Sequence, residues 1–281
     1  MRFRYIILGV LFISFSASAQ KGWNQEFSKK NHFYGYWGYN VSGYTKSDIS
    51  FKGDDYNFTL YDVAAYDRPT PFSFDVYLNP STISIPQWNL RFGYFFGKKW
   101  SVSIGTDHMK YVMPQNQSVP IEGYINIPNE SYNGVYSRQS IDLTEDFLKF
   151  EHTDGLNYAS IEVEYNGNIY TFNEKHSINY YIGPGVGMLI PRTNITLMHF
   201  PRYDEFHIAG FGVSGKIGIQ AIIWKHLTFN AEWKNGYINM PDILTTGDNP
   251  TDRSSQRFWF SEFTGTLGFI LDFTKKDSKK Q

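Results

Sequence analysis

Residues 258–273 (FWFSEFTGTLGFILDF) repeat with a period of two. Trp259, Ser261, Phe263, Gly265, Leu267, Phe269, Leu271 and Phe273 share one parity, and Glu262, Thr264, Thr266, Gly268 and Asp272 share the other, with Ile270 as the exception. A period of two is an extended strand. An apolar, aromatic face of this length matches a strand that crosses a bilayer, about ten residues long. A single strand cannot do so alone, because its backbone donors and acceptors would stand unpaired in hydrocarbon. The rest of the chain is therefore expected to close a barrel around it.

The N-terminus supports export. Arg2 and Arg4 precede an apolar run over 5–15, followed by Ser-Ala-Ser-Ala to Ala19. This is the three-part pattern of a secretory signal peptide over 1–19, too short for a membrane helix. The next residue is Gln20, so no lipidated cysteine follows. The longest later apolar stretch, 180–190, is broken by Gly183, Pro184, Gly185 and Gly187. Aromatic residues make up 19 % of the chain and cysteine is absent. That combination fits a barrel with aromatic girdles, with a secreted β-sandwich as the competing class, and it excludes disulfide and thiolate chemistry. Removing Arg2 and Arg4 leaves 24 basic against 27 acidic residues, a balance that gives no reason to expect nucleic acid as a partner.

Alternating segments fall at 33–42, 87–96, 100–113, 150–165, 178–190, 208–223, 227–238 and 258–273. The links at 97–99, 166–177 and 224–226 are the shorter ones, whereas 43–86, 114–149, 191–207 and 239–257 are long. Short turns alternating with long loops over an even strand count predict an all-β, antiparallel up-and-down transmembrane β-barrel. Eight strands are expected, in a barrel over 32–273. The segment 20–31 and a basic tail, 274–281, are placed in the periplasm, with the long loops outside the cell. Further alternating runs at 56–63, 71–78 and 119–127 read as hairpins above the membrane. If the first two enter the wall, the count becomes ten.

Charges separate by face. Arg91, Glu162, Glu164, Lys216, Glu232, Lys234 and Glu262 all lie opposite the apolar parity of their strands. A cation facing lipid at the midplane costs roughly 2–4 kcal/mol, so these seven are expected inside. An eight-stranded barrel is only wide enough for side chains to fill it, which predicts a paired polar interior and no wide pore.

Topology and pattern resemble the small eight-stranded outer-membrane barrels of the OmpA/OmpX-like group, over most of 32–273, with no family-specific motif. The resemblance implies the outer membrane of a Gram-negative bacterium, with outer-membrane lipid, lipopolysaccharide and the assembly machinery as partners. One departure is that the closing aromatic, Phe273, is followed by TKKDSKKQ, whereas such barrels usually end on the aromatic.

Chemistry is sparse. Thr106–Tyr111 and 150–157 place Asp107, His152 and Asp154 inward by parity, provided Gly155 introduces no bulge. His108 and Lys110 then point outward near the headgroup level, where contact with lipopolysaccharide phosphates competes with plain interfacial snorkelling. Lipid A deacylases, which the resemblance brings in, use a His-x-Ser pair facing lipid; here Asp154 stands in the nucleophile's place and His152 reads inward. Asp107, His152 and Asp154 match no recognised metal-ligand spacing, so no metal or other cofactor is expected, and a hydrogen-bonded rim cluster is the plainer reading. The expected function is structural, or binding of an extracellular ligand through loops 43–86 and 114–149, without catalysis. A lipid-modifying enzyme is the alternative, and a narrow channel stands third.

Overall fold

The computed structural model describes residues 29–247, 249 and 251–272. The signal peptide, most of the segment after it, Phe273 and the basic tail lie outside the described residues. In chain order the elements are β1 (His32–Tyr44), β2 (Ser47–Lys52), β3 (Tyr56–Val63), a one-turn helix α1 (Phe74–Tyr77), β4 (Trp88–Tyr94), β5 (Trp100–Val112), β6 (Ser118–Ile125) and β7 (Gly134–Asp142). They continue with β8 (Leu148–Asn173), β9 (His176–Leu189), β10 (Arg192–Leu197), β11 (Tyr203–Phe206), β12 (Gly210–Ile223), β13 (Leu227–Leu244) and β14 (Arg253–Asp272).

Eight of these form a closed antiparallel ring in the order β1-β4-β5-β8-β9-β12-β13-β14, with β14 returning to β1 from His32↔Asp272 to Tyr44↔Phe260. Closure leaves no unpaired edge in the wall, which is what hydrocarbon demands. The backbones approach closely at this seam: a Cβ on Gly38 would fall 2.0 Å from the Gly265 carbonyl oxygen, so only glycine fits there. Phe33, Phe92, Ile104, Ile161, Val186, Ile219, Phe229 and Leu267 project outward and are exposed, forming an apolar belt around the ring.

The ladder does not stop at the belt. β14 continues upward through Arg253–Gln256 to pair with β2, and the sheet runs on through β3 and β6 to β7. On the other side, the first residues of β8 pair with β10, which pairs with β11. These short strands make a folded head above the ring. Its apolar core includes Ile49, Phe51, Phe58, Leu60, Ile121, Phe147, Phe150 and Met240. The wall is therefore apolar outside and polar inside, while the head is apolar inside.

One face of β14 shows the change along its length. Gln256 sits in the head, Phe258 and Phe260 roof the lumen, Glu262, Thr264 and Thr266 line it, and Ile270 closes the far end with Tyr34, Tyr36, Phe95 and Ile222. Ile270, the exception to the alternation, belongs to this floor.

Three expectations change. The run at 71–78 is not a strand: Ser73 caps α1 by accepting from the Val76 N–H at 3.3 Å, and Phe72, Phe74 and Leu78 are exposed rather than paired across a ladder. The run at 56–63 is a strand of the head, so the ring holds eight strands and not ten. The link 166–177 shrinks to a two-residue turn, because β8 and β9 remain paired as far as Asn173↔His176. Polar residues on both faces there erase the alternation but leave the backbone ladder intact. Four strands, β2, β7, β10 and β11, gave no separate signal, being short or polar on both faces.

Candidate functional site

The lumen is lined by inward residues from all eight ring strands, β9 contributing Tyr181, whose ring lies 5.2 Å from Lys216 Nζ. Arg91 on β4 reaches Asp107 on β5 (3.2 Å) and Glu162 on β8 (3.0 Å). Lys234 on β13 contacts Asp107 (2.5 Å), Glu162 (2.9 Å) and Glu232 (3.6 Å). Lys216 on β12 contacts Glu162 (2.5 Å), Glu164 (2.7 Å) and Glu232 (3.1 Å). All six of the residues named so far that were assigned to the interior, and Asp107 with them, are buried together. The burial is sustained because each desolvated charge faces opposite charge at contact distance.

Glu262, the seventh, is different. It accepts from Asn89 Nδ2 at 2.9 Å, its second oxygen has no hydrogen-bond partner, and no cation lies within ion-pair distance among the described residues. The cluster thus sets three cations against five carboxylates. Neutral donors make up part of the difference. Asn89 also donates to Asp107 (2.7 Å), while Ser101 (2.5 Å), Ser103 (3.1 Å) and Tyr34 all donate to Glu164. The sequence reading did not single out Asn89, Tyr34, Ser101 or Ser103, although their parity on β1, β4 and β5 carried the signal.

Both ends of the cluster are sealed. Below it lies the aromatic floor, where Lys29 donates to Gln220 at 2.8 Å. Above it stand Tyr158, whose hydroxyl donates to the Gly212 carbonyl at 3.2 Å, and Phe260 against its ring. The lumen is filled in layers, as an eight-strand circumference dictates.

Asp107, His152 and Asp154 do not meet. The β5–β8 ladder steps from Met109↔Leu156 to Tyr111↔His152, and Gly155 has φ +131°. Residues 153–155 form a bulge, which turns Asp154 out to an ion pair with Arg192 (3.4 Å) at about half exposure. Asp107 stays in the lumen with Arg91 and Lys234. His152 is enclosed in the head between Tyr111 and Phe150, with Nδ1 hydrogen-bonded to Thr193 Oγ1 at 3.0 Å. Among the described residues no carboxylate orients it, and Thr153 donates instead to Glu151 (3.4 Å).

His108 stacks on Trp88 with rings 5.3 Å apart and shares a hydrogen bond with Asn157 (2.8 Å). Lys110 donates to Thr70 Oγ1 (3.2 Å) and to the Ile85 carbonyl (3.0 Å). The connection after β3 therefore covers Lys110, whereas His108 is held by its barrel neighbours on β4 and β8.

His152 sits above the apolar belt, and burial pushes its pKa down to about 3. An unfolded histidine titrates near 6.5. Between these values the unfolded chain binds the extra proton, so stability falls as pH drops from about 6.5 toward 3, by at most about 1.4 kcal/mol per pH unit. His152→Gln should flatten that part of the slope. Urea unfolding of the head followed at pH 7, 5.5 and 4 measures it, and an unchanged slope would exclude His152 as its source.

The closed ring, its apolar exterior and its sealed, charge-paired interior define an eight-stranded transmembrane β-barrel that carries a folded head. No family model matches the chain, and no curated protein matches it in sequence. Among solved structures it is similar to the outer membrane protein OprG from Pseudomonas aeruginosa (12 % identity, 88 % of this chain and 98 % of that one, TM-score 0.40). It is also similar to AlkL in DMPC lipid bilayers (8 %, 98 % and 98 %, 0.41). A third is Ail of Yersinia pestis in complex with the heparin analogue sucrose octasulfate (11 %, 86 % and 99 %, 0.34).

Proposed function

We propose that this chain is a non-enzymatic outer-membrane barrel of a Gram-negative bacterium, and that its task is carried by the head as a rigid contact surface for a ligand outside the cell. The observation that carries this reading is the head itself. The long connections fold into a sheet with its own apolar core, fused to barrel strands, rather than forming separate loops. Contact surfaces placed on a rigid scaffold are the usual site of function in such architectures.

Two further observations support it. The lumen is filled by the ion-pair cluster and closed by its floor and roof, which disfavours transport. His152 is enclosed in the head and no carboxylate orients it among the described residues, which disfavours hydrolysis. The two chain ends of the ring lie together at the short-turn end, His32 beside Asp272. In this reading that end is periplasmic and the head faces outward.

The chain has no cysteine, so single introduced thiols report orientation without background. On intact cells a membrane-impermeant maleimide should label Val135→Cys, on the exposed β7, and should reach Glu174→Cys, in the β8–β9 turn, only after permeabilisation. The reverse pattern would overturn the reading. So would conductance steps in a planar bilayer, or lipid A of altered mass after incubation with the reconstituted protein.

A further inference from the structure

The connection between β3 and β4 does not join the head throughout. It first fills the wall above the short β4, where Tyr66 pairs with Val112 and Asp67 accepts from the Ser42 N–H at 2.7 Å. It then descends over the outside of the ring. Tyr39, an outward residue of β1, donates its hydroxyl to the Tyr77 carbonyl at 2.5 Å, and the two rings lie 4.6 Å apart. Phe72, whose ring lies 5.1 Å from that of Tyr77, and its neighbours Phe74 and Leu78 are each about 70 % exposed. So much exposed apolar surface on one short segment marks an interaction surface, and here it is continuous with the lipid-facing belt.

Between this flap and the wall lies a hollow of about 680 Å³. Its floor is Gly265 and Ala231, which are paired neighbours on β14 and β13. One side is the stack of Trp233 on Phe263 (5.9 Å, 8°), and the flap end is Tyr77 and Thr70. A Cβ on Gly265 would meet nothing within 4 Å, so the space is open to the bilayer. Two other outer-wall hollows are bounded by barrel strands alone. This one has a polar end, because Thr70 accepts from Lys110, whose bonds among the described residues go only to neutral oxygens. Lys110 itself stands just outside the lining, behind Thr70. Of the other charges nearby, Arg68 faces Glu151 at 3.4 Å, Asp67 is held by Ser42, Asp154 pairs with Arg192, and Glu232, which borders the hollow, pairs with Lys216 and Lys234.

We propose that this hollow is a lipid site that takes one acyl chain of lipid A, with a headgroup phosphate against Lys110. The occupant follows from the place: the hollow opens on hydrocarbon, its polar end sits at the head side of the belt, and a cation without a carboxylate partner suits a phosphate. In hydrocarbon, selectivity comes from shape and from such polar contacts, since lipid chains are as apolar as the wall. The choice of lipid A rests on the outward orientation of the head proposed above.

The test is native mass spectrometry of the protein reconstituted in phosphatidylethanolamine vesicles containing lipid A and extracted in mild detergent. The parent chain should retain one lipid A. Gly265→Leu, which fills the floor, and Lys110→Gln, which removes the charge, should each lower retention by about tenfold. Heat-resistant electrophoretic mobility shows that each variant still forms the barrel, and Ala231→Leu repeats the filling if Gly265→Leu does not. Retention of phosphatidylethanolamine in its place, or equal retention by all variants, would overturn the site. Maleimide labelling of Val135→Cys from outside, together with absent lipid, overturns the site alone and leaves the orientation standing.

Discussion

Glu162→Gln will destabilise the barrel by about 3–5 kcal/mol, as expected when one partner leaves a buried ion cluster. Glu162 is the carboxylate that touches all three cations, Arg91 at 3.0 Å, Lys216 at 2.5 Å and Lys234 at 2.9 Å. Glutamine keeps the volume but leaves those cations to share the remaining carboxylates. Glu262→Gln should behave oppositely. Glu262 is held by Asn89 and faces no cation at ion-pair distance among the described residues, so neutralising it removes a desolvated charge from a cluster already rich in carboxylate, and stability should hold or rise. Urea titration of the protein folded into vesicles, read by the electrophoretic mobility of the folded form, compares the two directly. Equal losses would mean that shape, not charge, sets the cost.

Phe58→Ala is expected to open the head and leave the ring standing. Phe58 is buried on β3, with its ring 5.1 Å from Phe51, 6.0 Å from Tyr56 and 6.0 Å from Phe147. Truncating a buried phenylalanine costs about 3–5 kcal/mol, and that loss falls on short strands with few partners outside the head. Limited proteolysis should cut the variant within β2, β3, β6 and β7 while a core containing the ring resists and keeps its heat-resistant mobility. A single transition in which head and ring are lost together would contradict this.

The ring was legible because lipid imposes a strong rule: a charge on the wrong face costs kilocalories, so parity survives where the wall strands cross the apolar belt, and fades only at the β8–β9 end. That rule placed Arg91, Glu162, Lys216 and Lys234 inside before any contact was known. The head was only partly legible. β3 and β6 alternate, but β7 (GVYSRQSID) is exposed along most of its length and needs no apolar face. β10 and β11 are too short to show a period.

The reading of Asp154 hung on Gly155. A positive φ there breaks the register, and no pattern of side chains announces a backbone angle. The flap was missed for a related reason. Phe72, Phe74 and Leu78 look like strand residues when only their spacing is considered, whereas Ser73 starts a helical turn that leaves all three exposed.

β8 spans 26 residues and β14 spans 20, and each passes from the short-turn end through the belt into the head without a break in its chain. At about 3.3 Å per residue, each is a stiff spar of roughly 65–85 Å, anchored by neighbours on both sides within the ring. A pull on the head is carried into the wall along these two strands, β8 bending at its 153–155 bulge, with no linker between head and wall to take up slack. Tension applied to the head would meet the whole ring as a single anchored body.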